Sequence, residues 1–329
     1  MPGLPPESLD HSYLGVSMSE IHGPSPAPSV TVVIATQDRM HLLQQAIEAA
    51  WNQDYQGSIT ITVVYDNHAP HPELARREGN RQVKVITNTR TPGLAGARNS
   101  GILHADTELV AFCDDDDAWK PSKLTRQVAL MRQENASGCV SGIEISYGQK
   151  RMVRIPQLAT VDTSAITQDR LTGAHPSSYL FDRVFLIEEV GLVDETIPYG
   201  YGEDYDLLIR AAAAGRISVL PQAAVDVLWH KGGSKFSRRW EAMEAGISFL
   251  IGKHPELTAS KRTASWLHGQ RAFALASLKE RRREGVQIAA QSIRLNPRQP
   301  RGYLALAVAS GALSPGWVVD RLNEKGRGI

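Results

Sequence analysis

The chain has 329 residues, of which 42% are hydrophobic and 22% charged, with a formal net charge of +1. That is the composition of an ordinary globular protein, long enough for one large domain plus an appendage, and a balance this near neutrality gives no pull toward nucleic acid. The two cysteines, Cys113 and Cys139, stand in no Cys-x-x-Cys or Cys/His array, which argues against a zinc site or a disulfide framework and favours buried reduced thiols.

Residues 1–28 are Pro-rich with little periodicity and read as a disordered leader. The N-terminus lacks the basic-then-apolar pattern of a signal peptide, and no apolar run is long enough to span a bilayer. The expected location is the cytoplasm, at the inner face of the cell membrane for an envelope product. Val30 to Thr36 is a β-branched run, hence a buried first strand. After Gln37-Asp38-Arg39, the residues Leu43, Ala46, Ile47, Ala50 and Trp51 fall at helical spacing. Ile59 to Tyr65 is a second strand ending in Asp66. An acid there is where nucleotide-binding α/β folds place a base- or ribose-recognising group, the alternative being a plain turn residue. Val83 to Ile86 and Thr107 to Cys113 are the third and fourth strands, with helical segments between, which implies a parallel, doubly wound half. No G-x-G-x-x-G follows the first strand and no G-x-x-x-x-G-K-[ST] occurs, which argues against a dinucleotide dehydrogenase and a P-loop NTPase.

The densest stretch runs from Asn88 to Leu124. Pro92-Gly93-Leu94-Ala95-Gly96 supplies a turn into a helix that carries Arg98 and whose N-terminus can face an anion. The apolar run Leu109 to Cys113 then ends in Asp114-Asp115-Asp116-Asp117. Adjacent carboxylates repel one another, and a divalent cation relieves that repulsion; a solvated acidic turn is the plainer alternative. Trp119 follows, Pro121 suits the first turn of a new helix, and Leu124, Val128 and Met131 form its apolar stripe.

Cys139 to Tyr147 and Arg151 to Ile155 read as strands of a more antiparallel second half, followed by a loop holding His175 and an apolar Tyr179-Leu180-Phe181. Glu203 and Asp204 open a helix whose apolar face is Tyr205, Leu208, Ile209 and Ala212. A helix N-terminus keeps a carboxylate ionised, as a general base requires, and capping accounts for part of the same acidity. Ile217 to Leu220 and Ala223 to Trp229 read as two strands leading to His230 and a basic loop. From Arg239 the pattern is helical, with a tetratricopeptide-like rhythm near Gln287 to Pro297 that has too few repeats for a solenoid.

The blocks Ala97-Arg98-Asn99-x-Gly101, Asp114-x-Asp116-Asp117, Trp119-x-Pro121-x-Lys123-Leu124 and Glu203-Asp204-x-Asp206-Leu207 together resemble the family 2 nucleotide-sugar glycosyltransferases. That resemblance implies an α/β, GT-A-like fold over residues 29–257, a Rossmann-like nucleotide-binding half plus a mixed-sheet acceptor half, with a helical extension over 258–329. It implies transfer with inversion from a nucleoside diphosphate sugar, most often a UDP-sugar, to a hydroxyl of a glycan, lipid-linked glycan or small molecule. Asp204 would be the base, with Glu203 beside it. Thr36, Asp38, Arg39, Asp66, Arg98, Asp114 and Asp115 would meet the nucleotide sugar, although Thr36 or Asp38 can equally cap the first helix. Mn2+ or Mg2+ would sit on Asp116, Asp117 and His230, with Trp119-x-Pro121 setting the frame of the acidic motif. His175 and Trp119 would lie on the acceptor side. The chain departs from the family pattern in Ala35, Asp38 and the His68-Ala69-Pro70 loop. Two rival readings are a sugar-nucleotide-forming nucleotidyltransferase, which needs a Gly-rich basic loop that Thr36-Gln37-Asp38-Arg39 lacks, and a non-catalytic binding module, against which the intact Asp114, Asp116 and Asp204 speak. The helical tail leaves self-association and peripheral membrane contact open.

Overall fold

The computed structural model describes residues 27–37, 39–168, 171–229 and 239–325. The leader, Asp38 and His230 with its basic loop therefore lie largely or wholly outside the described residues. Within them the core is a mixed sheet of eleven strands. Its parallel half is β1 (Val30–Thr36), β2 (Ile59–Tyr65), β4 (Arg81–Thr87) and β5 (Leu109–Phe112), edged by the short antiparallel β3 (Arg76–Glu78). Along β1, Val30, Val32 and Ile34 pack on α1 (Met40–Trp51), while Val33 faces the core layer that includes α2 (Leu94–His104). Both faces of the strand are covered, which is why it reads as an unbroken apolar run. Because α1 and α2 lie on opposite faces, the strand order reverses beside β1, and the crevice at the ends of β1 and β5 is where such sheets bind ligands.

The second half adds β6 (Ala118–Trp119), α3 (Lys123–Glu134), β7 (Gly138–Tyr147), β8 (Lys150–Arg154), β9 (Thr160–Val161), α4 (Thr163–Gln168), β10 (Leu180–Asp182), α5 (Glu203–Ala214) and β11 (Ile217–Trp229). Strand β10 runs antiparallel between β5 and β7 and joins the halves, while β11 lies parallel to β7. The two strands expected over 217–229 are one, because the chain absorbs Pro221 in a bulge between Leu220 and Val225 instead of breaking there. Helix α3 begins at Lys123, so Pro121 lies in the turn before it.

Five helices close the chain: α6 (Trp240–Lys253), α7 (Lys261–Ser277), α8 (Arg282–Leu295), α9 (Pro300–Ala309) and α10 (Pro315–Glu324). Met243, Ile247 and Leu250 of α6 and Leu267 of α7 join the core layer of α5, while α7 to α10 share a smaller core of their own around Phe273, Ala289 and Val319. No helix among the described residues is long and apolar enough to cross a membrane.

A buried charge network ties α6 to α5. Asp206, fully buried, accepts from Arg210 Nε at 2.9 Å, Lys253 Nζ at 2.7 Å and His254 Nε2 at 2.8 Å. Arg210 also donates to the carbonyls of Val190, Gly191 and Leu192. Burial alone would raise the Asp206 carboxyl, but these partners hold it down to about 2. Asp206→Ala strands the cations and is expected to destabilise the fold by ~3–5 kcal/mol, read as a lowered urea midpoint; a change below ~1 kcal/mol would show that the network is dispensable.

Candidate active site

Four carboxylates leave the end of β5 in succession, and three other parts of the chain hold them. Asp115 is buried, accepting the Thr36 hydroxyl at 2.6 Å and the Arg39 guanidinium. Arg39 also pairs with Asp116 at 2.6 Å. Thr36 ends β1, and Arg39 follows it at the N-cap of α1, so the first strand delivers both groups to the neighbouring strand end.

Asp114 pairs with Arg98 at 2.7 Å, and Arg98 pairs in turn with Glu203 at the start of α5. The Arg98 side chain is only 4% exposed and lies 5.7 Å over the Phe112 ring. It reaches this position because α2 packs close to β1: a Cβ at Gly101 would lie 2.3 Å from Val33. Asp204, the next residue of α5, is within electrostatic reach of both Arg98 and His175.

Asp117 is buried. It accepts the Ser177 hydroxyl at 2.6 Å and lies 3.3 Å from His175 Nδ1. Ser177 Oγ also accepts the Asp114 amide at 2.9 Å, so one hydroxyl braces two acids. Burial, reinforced by Asp114 and Asp116, pushes the Asp117 carboxyl well above its ordinary range, and burial raises Asp115 despite Arg39 and Thr36. Among the described residues, Asp114, Asp117 and His175 bring one donor atom each to within 4.8 Å of one another. Burial lowers the His175 imidazole below its usual range, which favours the neutral ring that a metal ligand needs.

Asp66 closes the other flank. Its carboxylate accepts from Asn88 Nδ2 at 2.8 Å, from Gln37 at 3.1 Å and from the Gly93 amide at 3.0 Å. Burial would raise this carboxyl, but the three donors hold it below the usual value. Gly93 has φ of +121°, a conformation that only glycine adopts readily, and it turns its amide toward Asp66 at the N-cap of α2.

The structure thus brings Thr36, Arg39, Arg98, Asp114, Asp115, Asp116, Asp117, His175, Glu203 and Asp204 to one edge, and corrects several expected roles. Arg98, buried between two carboxylates, links β5 to α5. Glu203 is not a second base, since its side chain is 4% exposed and engaged by Arg98. Trp119 does not face an acceptor: pairing of β6 with β11 buries its ring, and its Nε1 donates to the Ser177 carbonyl at 2.8 Å. Asp116 stands outside the three-donor cluster and is held by Arg39 instead. Asp66 is occupied by Asn88, Gln37 and Gly93. The expected roles of Asp38 and His230 fall outside the described residues. Ser177 and Lys123 were missed. The Lys123 ammonium is buried 3.8 Å over the Trp119 ring, and burial brings it down to about 7. Ser177 has no local spacing signal, because only the fold brings its partners near, whereas Lys123 stands in the Trp119-x-Pro121-x-Lys123 block four residues from the ring it covers.

Burial pushes the Glu203 carboxyl up to about 7, with Asp204 and Asp114 adding to the rise and Arg98 opposing it. A carboxyl raised in the folded state contributes stability that is fully present below its unfolded value of about 4.3 and is lost as pH rises through about 7. Glu203→Gln should therefore gain on the wild type between about pH 5 and about pH 8 in urea titrations; a difference independent of pH would contradict this.

Residues 31–187 match the family described as glycosyl transferase family 2. The succinoglycan biosynthesis protein ExoO of Rhizobium meliloti (strain 1021) is 29% identical over 213 residues, covering 60% of this chain and 59% of that protein. The Escherichia coli UDP-Glc:alpha-D-GlcNAc-diphosphoundecaprenol beta-1,3-glucosyltransferase WfgD is 27% identical over 117 residues, covering 35% of this chain and 46% of that protein. The matches thus span about three fifths and under half of these two relatives. The crystal structure of S. aureus TarS 1-349 in complex with UDP-GlcNAc superposes with a TM-score of 0.57 at 17% identity, covering 91% of this chain and 92% of that one. With the sheet order and the acidic strand end already in place, residues 31–187 match glycosyl transferase family 2, and the fold is the GT-A-like one of that structural neighbour.

Proposed function

We propose that the protein transfers a sugar from a UDP-sugar to a hydroxyl of a glycan or lipid-linked glycan in polysaccharide synthesis, with inversion. One observation carries the reading: Arg98 joins the acidic end of β5 to the start of α5, so that Asp204 and the strand-end carboxylates share one crevice. The UDP donor is supported by the nucleotide sugar in the TarS complex and by the donor in the name of WfgD.

In this reading Asp204 takes the proton of the acceptor hydroxyl as its oxygen bonds to the anomeric carbon. The bond from that carbon to the diphosphate breaks at the same time, on the opposite face, and UDP departs. Asp204 lies in the first turn of α5, where a helix N-terminus favours negative charge. Arg98 and Glu203 hold α5 in register with β5, so the base and the leaving-group site keep their spacing.

The residues present fit a divalent cation. Asp114, Asp117 and His175 can hold it, and two carboxylates with an imidazole suit Mn2+ better than Mg2+. Bound there, such an ion would offset the charge of the departing diphosphate. Asp117, raised by burial and then by its acidic neighbours, would hold the ion as the carboxylate.

Asp204→Asn is expected to lower kcat for transfer by ~10²–10⁴-fold while UDP affinity stays within a few-fold of wild type. Retained turnover would remove Asp204 as the base. Separately, Asp114→Asn and Asp117→Asn should each weaken Mn2+ binding by ~10-fold or more, followed by electron paramagnetic resonance. If only Asp116→Asn weakens it, the ion belongs on the residue that the sequence frame names.

A further inference from the structure

Beside Asp204 lies a cavity of about 130 Å³ that the transfer chemistry above does not use. Ile166, Leu171, Ala174 and Leu208 wall it together with the rings of Tyr179 and Tyr205, and Thr172, Asp204 and His175 supply its polar edge. Both tyrosyl hydroxyls are already committed: Tyr179 donates to the Ala174 carbonyl at 3.3 Å and Tyr205 to the Ile166 carbonyl at 2.7 Å.

A sugar hydroxyl pressed against the apolar side chains of Ile166, Leu171, Ala174 and Leu208 would give up water without gaining a partner from them, whereas a methyl group gains from burial there. The size sets a second limit. An apolar cavity of about 150 Å³ admits benzene, so this one admits a substituent and not a lipid chain. Position sets a third. The cavity shares Asp204 with the attack, so its occupant sits next to the hydroxyl being deprotonated. An acetamido group meets all three conditions, with a polar amide at the edge and a methyl at the tip.

We propose that this cavity is an acceptor subsite for the 2-acetamido group of the sugar whose neighbouring hydroxyl attacks. The assignment rests on Asp204 being the base, as argued above. It makes the acceptor terminus an N-acetylhexosamine.

The test pairs 2-acetamido-2-deoxyhexosides with their parent hexosides, in the gluco and galacto series, using UDP-glucose and UDP-N-acetylglucosamine as donors. The acetamido acceptors should be preferred by ~10-fold or more in kcat/KM, and Leu171→Trp or Ala174→Val, which fill the cavity, should bring that ratio toward unity. In parallel, saturation-transfer NMR on the wild type should mark the acetamido methyl as the most strongly saturated acceptor group, a readout that does not need turnover. Equal use of both acceptors, a ratio indifferent to both substitutions, a preference that follows the acetamido group of the donor, or an unsaturated methyl overturns the proposal. Calorimetry with UDP separates the levels. UDP binding without acetamido preference overturns the subsite alone, and absence of UDP binding overturns the donor reading and the subsite with it.

Discussion

Four consecutive carboxylates at the end of one strand repel one another, and the rest of the site is arranged around that fact. Three other parts of the chain meet them. The end of β1 and Arg39 hold Asp115 and Asp116, α2 brings Arg98 to Asp114, and the loop before β10 brings Ser177 and His175 to Asp117. Two arginines cannot neutralise these acids together with Glu203 and Asp204, so the balance stays negative. Buried Asp117 and Glu203 carry the remainder as raised carboxyls. That excess of negative charge is what the proposed cation would offset.

The same constraint explains the joining of the two halves. Parallel strands end in a crevice, but a crevice alone places no base. Arg98 makes one ion pair with β5 and one with α5 while buried against Phe112. The position of Asp204 is therefore set by the acid motif it works beside. Behind α5, the Asp206 network with Arg210, Lys253 and His254 anchors the helix to α6, so the end of the domain before the helical extension belongs to the structure of the site.

Much of this was legible in the sequence wherever a local rule applied. The β-branched runs gave β1 and β2 to the residue, because both faces of those strands are buried and leave no ambiguity of period. The order of the motif blocks identified the fold and the acidic strand end. The partner of each acid was not legible. The pairing of Arg98 with Asp114 and Glu203 emerges only once α2 is seen packed on β1 through Gly101. Trp119 looks like an acceptor platform until β6 pairs with β11. Ser177 carries no signal, since its two partners lie about sixty residues away in the chain. The break expected at Pro221 failed for a related reason: pairing with β7 on both sides of the bulge outweighs one missing amide.

The account stands on the claim that the strand-end acids form the place where a cation and the diphosphate of UDP are held together. Calorimetric titration of the full chain with UDP, with and without Mn2+, tests it most directly. The account predicts that Mn2+ tightens UDP binding by ~10-fold or more. UDP binding that is indifferent to Mn2+, or no binding under either condition, would contradict it.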